Sequence, residues 1–364
     1  MRDSAAPIVL SCWIALAASA LSIGLAPPHV SSLASPSAAD RRAPQRVVIF
    51  PPLLAAYLTI DKAADHLLAA PEGERREIAK GALRHYFSTL DRLSSVPTLG
   101  ANSAIPSDPE QVLLLSPDRV VVWAWAAGGL DRLGLPIAAI AQTGIAESWR
   151  AIGAITHNSA RTEEILDAFD RRLQALADET SASTLDGGRR VIVLWEAGQN
   201  LWRIALGGNR HTPYLRGLGV EDLTPLFPGL AKTLGSTVIG VETLLKLNPQ
   251  AIFLTCCGSP DDLPQKYYES PYFHSLTAVR ENRVYKEPKG GARMDGAVEW
   301  PLLMRWYAEL LVPTSLERKL RGQWQEVYTD FYGFAPDDEE LDDMLRNDEN
   351  AHSLNYGRFT RTGG

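Results

Sequence analysis

The chain has 364 residues, of which 45% are hydrophobic and 22% are charged, which is typical of a globular protein of about two domains. Its net charge is −7 and it has no basic cluster. Because the neutralisation of phosphates needs clustered Lys and Arg, nucleic acid is excluded as a partner. Its seven histidines are scattered singly and the common hydrolase, metalloprotease and nucleotide-binding motifs are absent, so we expect a protein that is not an enzyme.

The first 39 residues have the features of a secretory signal peptide. Pro7 to Ala26 contains no charge and is followed by the small-residue sequence Ser37-Ala38-Ala39, which suits cleavage. An uncleaved membrane anchor is the alternative, since about 20 uncharged residues are just long enough to span a bilayer. We expect the mature protein to begin near Asp40 and to work outside the cytoplasm.

Residues 40–157 predict an N-terminal α/β lobe. Its strands are apolar runs that alternate with helices, which indicates a mostly parallel sheet covered on both faces. The predicted elements, in order, are a strand at Arg46–Phe50, helices at Leu53–Leu68 and Glu72–Leu93, a short helix at Pro109–Leu115, and strands at Arg119–Trp125 and Ile137–Ala141.

The sequence pattern over residues 158–182 predicts one long helix, from Ser159 to Ser181, that links two lobes. Ser159 can cap its N-terminus, and Glu163 and Glu164 lie in early turns, where the helix dipole favours acids. The apolar residues follow the spacing of a single buried stripe. They are Ile165, Leu166, Phe169, Leu173, Leu176 and Ala177.

Residues 183–335 predict a C-terminal α/β lobe with a sheet of the same kind, and residues 336–364 predict a disordered tail. Eight acids lie between Asp337 and Glu349, a run that is typical of a solvated segment. The strands of the second lobe are predicted at Arg190–Trp195, Leu201–Leu206, Ala251–Thr255 and Arg283–Glu287. Its helices are predicted at Tyr214–Leu218, Val241–Leu247, Glu299–Leu311 and Leu316–Phe331.

One sequence unit occurs in both lobes. In the first copy Glu110 opens a short helix, and seven residues later Pro117 ends it and precedes the apolar strand Val120-Val121-Val122. In the second copy Glu242 and Pro249 have the same spacing, and Ile252-Phe253-Leu254 is the strand. Because the long helix separates the two copies, we interpret it as the connector between lobes. Two copies are too few for a solenoid.

The chain resembles the class III periplasmic binding proteins of ABC importers, the group that carries iron-siderophore, haem and cobalamin. The resemblance covers roughly Arg46 to Leu345. It is carried by the two Glu-helix-Pro-strand units, the long helix between them, and the segments Ala278–Tyr285 and Trp300–Leu311. It implies two α/β lobes bridged by one rigid helix, with the ligand in the cleft between them and the protein in the periplasm.

The resemblance also implies a partner, the dimeric membrane permease, which each lobe would meet through one Glu. By position these are Glu110 and Glu242. Both acids also complement the dipole of the helix that they open, a role worth about 0.3–1 kcal/mol, and the two roles are compatible. We expect a monomeric binding protein with no intrinsic cofactor, whose ligand is an iron chelate or cobalamin.

Ligands of open parallel sheets bind beyond the carboxyl ends of strands, which selects the candidate ligand-binding residues. Aromatic side chains can face the flat or apolar body of a chelate, and Arg can pair with its carboxylate or phosphate groups. Arg293 lies in a Gly-rich loop after the last strand and is the first choice. The other candidates are Tyr57, Asn102, Trp123, Trp125, Trp195, Arg210 and His211.

Cys256 and Cys257 are the only cysteines that remain after the signal peptide. In an oxidising compartment the pair could form a vicinal disulfide, stay as buried thiols, or ligate a soft metal or haem iron. Two adjacent cysteines cannot join distant segments, so a conventional core must hold the fold.

Other functions remain open at this point. A receptor for bare zinc or manganese ions would need about three nitrogen or carboxylate ligands, and only His211 is well placed. A receptor for an oxyanion such as molybdate would use backbone N–H groups and hydroxyls. A periplasmic sensor module that never meets a permease, and a metal-dependent enzyme on a related fold, are the alternatives of another class.

Overall fold

The β-branched run Val47–Ile49 forms the first strand of the computed structural model, as its composition predicts. The structure describes residues 46–50, 53–62, 64, 66–80, 84–85, 96–99, 109–128, 130–181, 183, 190–198, 201–206, 211–227, 236–255, 262–290, 294 and 296–361. Residues 45–364 form one compact unit. The predicted signal peptide, residues 1–39, lies outside the described residues.

The first lobe is built on a parallel sheet whose described strands run in the order β2-β1-β3-β4. Its two central strands are almost wholly buried, as expected for strands covered on both faces. The elements of this lobe are β1 (Val47–Ile49), α1 (Leu54–Asp61), β2 (Leu67–Ala69), α2 (Glu72–Lys80), α3 (Pro109–Leu114), β3 (Arg119–Trp123), β4 (Ile137–Ile140) and α4 (Ile145–Thr156).

One predicted helix of this lobe is shorter than expected. The pattern favours a helix over Leu53–Leu68, but α1 ends at Asp61, where Lys62 takes the left-handed conformation with φ 59°. The chain then forms β2 by parallel pairing of Leu67 with Val47. Pairing with a distant strand decides this segment, since nothing in its own composition favours a strand.

The long helix α5 (Ser159–Thr180) has the predicted extent within one residue. The side chain of Asn158, one residue before it, accepts a hydrogen bond from the backbone N–H of Arg161 and caps the helix. α5 packs against α4 of the first lobe and α10 (Trp300–Leu311) of the second. At its end, Glu179 pairs with Arg305 of α10 at 2.7 Å. The linking helix is therefore held by both lobes.

The second lobe contains a mixed sheet of described strands in the order β7-β6-β5-β8-β9. The β5–β8 and β8–β9 pairs are parallel, whereas β5–β6 and β6–β7 are antiparallel, so the expectation of a mostly parallel second sheet holds for one half of it. The remaining elements are β5 (Val191–Gly198), β6 (Leu201–Ala205), α6 (His211–Gly217), β7 (Ser236–Gly240), α7 (Val241–Leu247), β8 (Ala251–Leu254), α8 (Pro264–Glu269), α9 (Thr277–Arg280), β9 (Val284–Lys286), α11 (Leu320–Tyr332) and α12 (Asp338–Met344).

The prediction of a disordered tail over 336–364 is corrected for residues 336–361. Asp337 and Glu340 form a reciprocal capping box that starts α12. Apolar side chains of this segment are buried, among them Leu341, Tyr356 and Phe359. The acidic run is therefore not simply solvated, because its acids cap the helix and pair with basic residues such as Arg321.

The same C-terminal segment covers the edge strand β9. Asn350, which is fully buried, accepts a hydrogen bond from the backbone N–H of Lys286 at 2.7 Å and donates one to its carbonyl at 3.0 Å. The hydroxyl of Ser353 donates to the carbonyl of Val284 at 2.6 Å. Side chains thus occupy the backbone groups that an edge strand would otherwise leave open to another chain.

Candidate functional site

At the carboxyl edge of the first sheet, two tryptophans adjoin the end of β3. Trp123 is the last residue of the strand and is only 5% exposed, so it packs in the core. Trp125 lies in the short 3₁₀ turn Ala124–Ala126 and is 59% exposed. Of the two predicted ligand residues, Trp125 is the one whose ring is available to a ligand.

Tyr57 is a predicted ligand residue that the structure places inside the first lobe. It lies on α1 and is 1% exposed. Burial, with a smaller contribution from the nearby negative charge of Asp61, raises the pKa of the Tyr57 hydroxyl far above its ordinary value. A ligand would reach this phenol only if the lobe opened locally.

Trp195 lies just beyond the last parallel pairing of the second sheet. Leu194 pairs with Leu254 of the parallel strand β8, and the next residue, Trp195, pairs with Arg203 of the antiparallel strand β6. Its side chain is half-buried. The neighbouring Glu196 forms an ion pair with Lys266 at 3.1 Å, so this corner of the carboxyl edge contains charge as well as an aromatic ring.

Buried polar side chains follow β8 and β9 at the same edge. The ammonium group of Lys286, which is fully buried, donates to the carbonyl of Thr255 at 3.1 Å. Asp262, also fully buried, accepts a hydrogen bond from Tyr267 at 3.1 Å. Burial raises the pKa of the Asp262 carboxyl, against the attraction of Lys286. This edge therefore holds charge that is largely withdrawn from water.

The side chain of His211, the first residue of α6, lies at this edge although the strand that precedes it does not end there. The carboxyl end of β6 points away from the edge, because β6 is antiparallel to β5. Nevertheless, Nδ1 of His211 lies 3.0 Å from the Tyr307 hydroxyl and 4.0 Å from Oε1 of Glu287, the residue that follows β9. Its ring also lies 5.0 Å from that of Trp300. His211 is thus brought to the end of β9 by side-chain contacts.

Several polar and aromatic residues of this site were not selected from the sequence. Glu287 was predicted as the end of a strand, and Tyr307 lies within the apolar helix α10. A charged residue that ends an otherwise apolar strand was the available signal for Lys286 and Glu287. Five predicted residues lie outside the described residues: Asn102, Arg210, Cys256, Cys257 and Arg293.

The two repeated units adopt the same local structure in the two lobes. Glu110 lies in the first turn of α3 and Glu242 in the first turn of α7, and both side chains are exposed. Each helix is followed by a residue of positive φ directly before the proline, Ser116 at 47° and Asn248 at 40°. Each proline leads into a central strand of its sheet, β3 or β8.

Within the part of the chain that the structure describes, no three His, Cys, Asp or Glu side chains are grouped as a metal site would require. Among the same residues, no helix is long and apolar enough to cross a membrane. Among the predicted ligand residues that the structure describes, Trp125 has an exposed side chain, and His211 and Trp195 have side chains that are partly exposed.

Comparison with known protein families assigns the chain to one family. The family model for periplasmic binding proteins matches residues 89–289, more than half of the sequence. The chain therefore belongs to the periplasmic binding protein family, whose members are the solute-binding components of ABC importers. A comparison with curated protein sequences gave no match.

Solved structures share the fold at low sequence identity. A periplasmic solute binding protein from Veillonella parvula is 22% identical with a TM-score of 0.66, covering 84% of this chain and 93% of its own. The molybdate periplasmic binding protein MolA of Haemophilus influenzae is 17% identical with a TM-score of 0.64, covering 80% and 94%. CeuE of Helicobacter pylori, in a nickel–histidine complex, is 16% identical with a TM-score of 0.64, covering 83% and 93%.

Proposed function

We propose that the protein captures an iron chelate, either a siderophore or haem, or cobalamin, in the cleft between its lobes and delivers it to a dimeric ABC permease. The observation that carries the delivery step is the matched pair Glu110 and Glu242. Each acid is exposed in the first turn of a short helix, and each helix precedes a central strand of its own lobe.

Two acids at equivalent points of two lobes suit a partner with two basic sites. Electrostatic complementarity of this kind mainly sets orientation and association rate, so loss of one acid weakens docking and loss of both removes the bivalent contact. A linking helix that packs on both lobes keeps the distance between the two acids nearly constant. The proposal therefore predicts only small movements between the lobes when the ligand binds.

The ligand class is supported by the side chains at the two carboxyl edges. The exposed ring of Trp125 offers a flat apolar surface, and His211 offers an imidazole that a buried carboxylate and phenol hold in place. Such groups suit a large chelate with a flat or apolar body. A bare metal ion and a molybdate-type oxyanion, the ligand of the Haemophilus influenzae relative, are the competing ligands.

The proposal includes a role without catalysis and a place outside the cytoplasm. Members of the family bind solutes, and we propose that this chain binds without chemical conversion of its ligand. The uncharged segment Pro7–Ala26 would direct it to the periplasm as a cleaved signal. We propose that it acts as a monomer, because each of its two lobes would meet one half of the permease dimer.

The ligand is tested by purification of the mature protein from the periplasm, followed by its visible spectrum, metal content and native mass. A coloured iron or cobalt species of several hundred daltons is expected. Bound metal without organic mass would identify a bare-ion receptor, and bound molybdate would identify an oxyanion receptor. Either result would overturn the chelate proposal while leaving the family assignment unchanged.

Docking is tested with the double variant Glu110→Gln and Glu242→Gln in an uptake assay with the cognate permease. Uptake is expected to be lost while the affinity for the ligand in solution is unchanged. Glu147→Gln is the matched control, because Glu147 is another exposed acid in the first turn of a helix, α4. Uptake that survives the double substitution would overturn the role of the two acids in docking, whereas a wild type that supports signalling but no uptake would favour a sensor module that never meets a permease.

A further inference from the structure

Residues 337–361, which we call the strap, contact both lobes. Their contact with the first lobe is made by Glu340 at the start of α12. Its Oε1 atom lies 2.8 Å from Nη2 of Arg84 and 2.7 Å from Nε2 of His85. Arg84 and His85 follow α2 in the chain and lie 256 and 255 positions away from Glu340. The strap is thus in contact with a lobe to which it is not adjacent in sequence.

The strap is attached to the second lobe along the whole of β9. Within the strand, the fully buried side chain of Asn350 binds the N–H and the carbonyl of one residue. After the strand, the backbone N–H of Lys289 donates to the carbonyl of Met344 at 2.8 Å. Before the strand, the carbonyl of Asn282 accepts from the backbone N–H of Leu354 at 2.6 Å. This attachment therefore consists of several hydrogen bonds that would have to break together.

The end of the strap is anchored by a guanidinium group. Nε of Arg358 donates to Oε2 of Glu309 in α10 at 3.1 Å, and its two other nitrogens donate to backbone carbonyls between α10 and α11. Oε1 of Glu309 accepts from Nε of Arg305 at 2.8 Å. Arg305 pairs in turn with Glu179, near the end of the linking helix. A chain of ion pairs therefore connects the strap to the linking helix.

These attachments differ in their exposure to water, which decides which of them opens first. The side chains of Glu340, Arg84 and His85 are 23%, 45% and 43% exposed. An ion pair of this kind contributes little, because water competes for both partners. Glu309 and Arg358 are 0% and 5% exposed, and separating them would leave charge buried without compensation, which is far less favourable. The contact with the first lobe is therefore the weakest attachment of the strap.

We propose that the strap is a latch between the lobes. It stays fixed to the second lobe and to the linking helix, and it holds the first lobe through Glu340, which releases Arg84 and His85 when the lobes part. The linking helix is one connection between the lobes, and the latch adds a second that can open. It gives a further physical reason for the small lobe movements expected from the linking helix, and it does not depend on which ligand the protein binds.

The latch is tested by hydrogen–deuterium exchange of the ligand-free protein with the double variant Arg84→Gln and His85→Gln, which leaves the strap itself unchanged. The backbone amides of α12 are expected to exchange about two- to fivefold faster, the shift in an opening equilibrium that loss of an exposed ion pair can cause. Residues 346–358 are expected to keep the wild-type rate. Arg76→Gln is the matched control, because it breaks an exposed ion pair with Glu72 within α2, and it should change neither rate.

Two outcomes of this exchange experiment would overturn the inference. Unchanged exchange in α12 would show that the first lobe does not hold the strap. Equal acceleration throughout residues 337–361 would show that the strap opens as one unit and has no weak end. Glu340→Gln removes the charge from the other side of the contact and should give the same pattern as the double variant, since Gln also serves at this position of a capping box.

The effect on the lobes is measured as the distance between two spin labels by pulsed electron paramagnetic resonance. The labels take the places of Leu114 and Tyr272, which are 84% and 77% exposed and lie one in each lobe. They are attached to a ketone-bearing residue, so that the native cysteines are not modified. The double variant is expected to gain a population at longer distance that the wild type and Arg76→Gln lack. Faster exchange in α12 with the wild-type distance distribution would overturn the latch, because the strap would then hold only itself in place.

Discussion

The carboxyl edges of the two sheets carry side chains of different chemistry. In the first lobe the described residues that follow β1 and β3 at this edge are aromatic or apolar, represented by Phe50, Trp123 and Trp125. In the second lobe they are largely charged or polar and mostly withdrawn from solvent, represented by Lys286 and Glu287. Two lobes with the same repeated unit would therefore give the proposed cleft two unlike walls.

This difference bears on the kind of ligand that the cleft would accept. An aromatic wall favours a flat or apolar surface, whereas a wall of fixed polar groups favours a few hydrogen bonds or a coordination bond of defined direction. A small oxyanion would use only the second wall. The comparison therefore favours a ligand with one flat or apolar face and one polar face. Substitutions in each wall should separate the contributions of the two walls to ligand binding.

The largest expected effect comes from Trp123, which belongs to the core of the aromatic wall. Trp123→Ala removes a large side chain that is 5% exposed, and it should lower the free energy of unfolding by about 3–5 kcal/mol. Denaturant unfolding followed by circular dichroism measures this loss. A loss below about 1 kcal/mol would show that the ring faces the cleft instead of the core.

Trp125, two residues later, should behave in the opposite way. Because its ring is 59% exposed, Trp125→Ala should change the free energy of unfolding by less than about 0.5 kcal/mol. Ligand affinity should fall by about tenfold, which corresponds to roughly 1.4 kcal/mol. Titration of the ligand found on the purified protein measures this effect, and unchanged affinity would remove Trp125 from the ligand wall.

The contrast between these tryptophans also shows what the sequence could reveal. It marked both as strand-end aromatics, but which of them is buried depends on the 3₁₀ turn that starts at Ala124. The long helix α5 was predicted within one residue because its apolar stripe is a local signal, although its N-cap is Asn158 and not the predicted Ser159. The family assignment confirms the resemblance that the two repeated units suggested.

Elements that depend on distant pairing were missed. Strand β2 forms by pairing with β1 and has no strong signal of its own, whereas β7 contains the β-branched run Thr237-Val238-Ile239, which was not assigned as a strand from the sequence. The ordered segment after residue 336 did have one, since Asp337 and Glu340 have the spacing of a capping box before Leu341. The contact of His211 with Tyr307 joins residues 96 positions apart, and no periodicity could predict it.

Asp262 tests the polar wall through its pH dependence. Burial raises its pKa in the folded state, so at pH values between the unfolded and folded pKa the folded state binds more protons. The contribution of Asp262 to stability is therefore fully present below the unfolded pKa and is lost as the pH rises through the folded one. The slope cannot exceed about 1.4 kcal/mol per pH unit, the limit for one proton.

Asp262→Asn should abolish this slope, because an amide does not titrate in that range. Unfolding by denaturant at a series of pH values gives the difference between wild type and variant, in which the other titrating groups cancel to first order. The variant should gain stability relative to wild type as the pH rises. A difference that is independent of pH would mean that Asp262 titrates normally and that the wall is less withdrawn from water.

The smallest expected effect is that of Ser116→Asn, which is compared with Asn248→Ser to distinguish the two repeated units at the residue before each proline. Both Ser116 and Asn248 have positive φ, a conformation that Asn tolerates better than Ser. Asn248 also accepts a hydrogen bond from the backbone N–H of Thr277 at 2.8 Å. Ser116→Asn should therefore raise the free energy of unfolding by about 0.5 kcal/mol, and Asn248→Ser should lower it by about 1–2 kcal/mol. Denaturant unfolding measures both changes in the free energy of unfolding. Changes of opposite sign would establish that both units require positive φ at this residue and that only the second lobe has a residue suited to it. Changes of equal sign would show that the hydrogen bond with Thr277 alone accounts for the effect of Asn248.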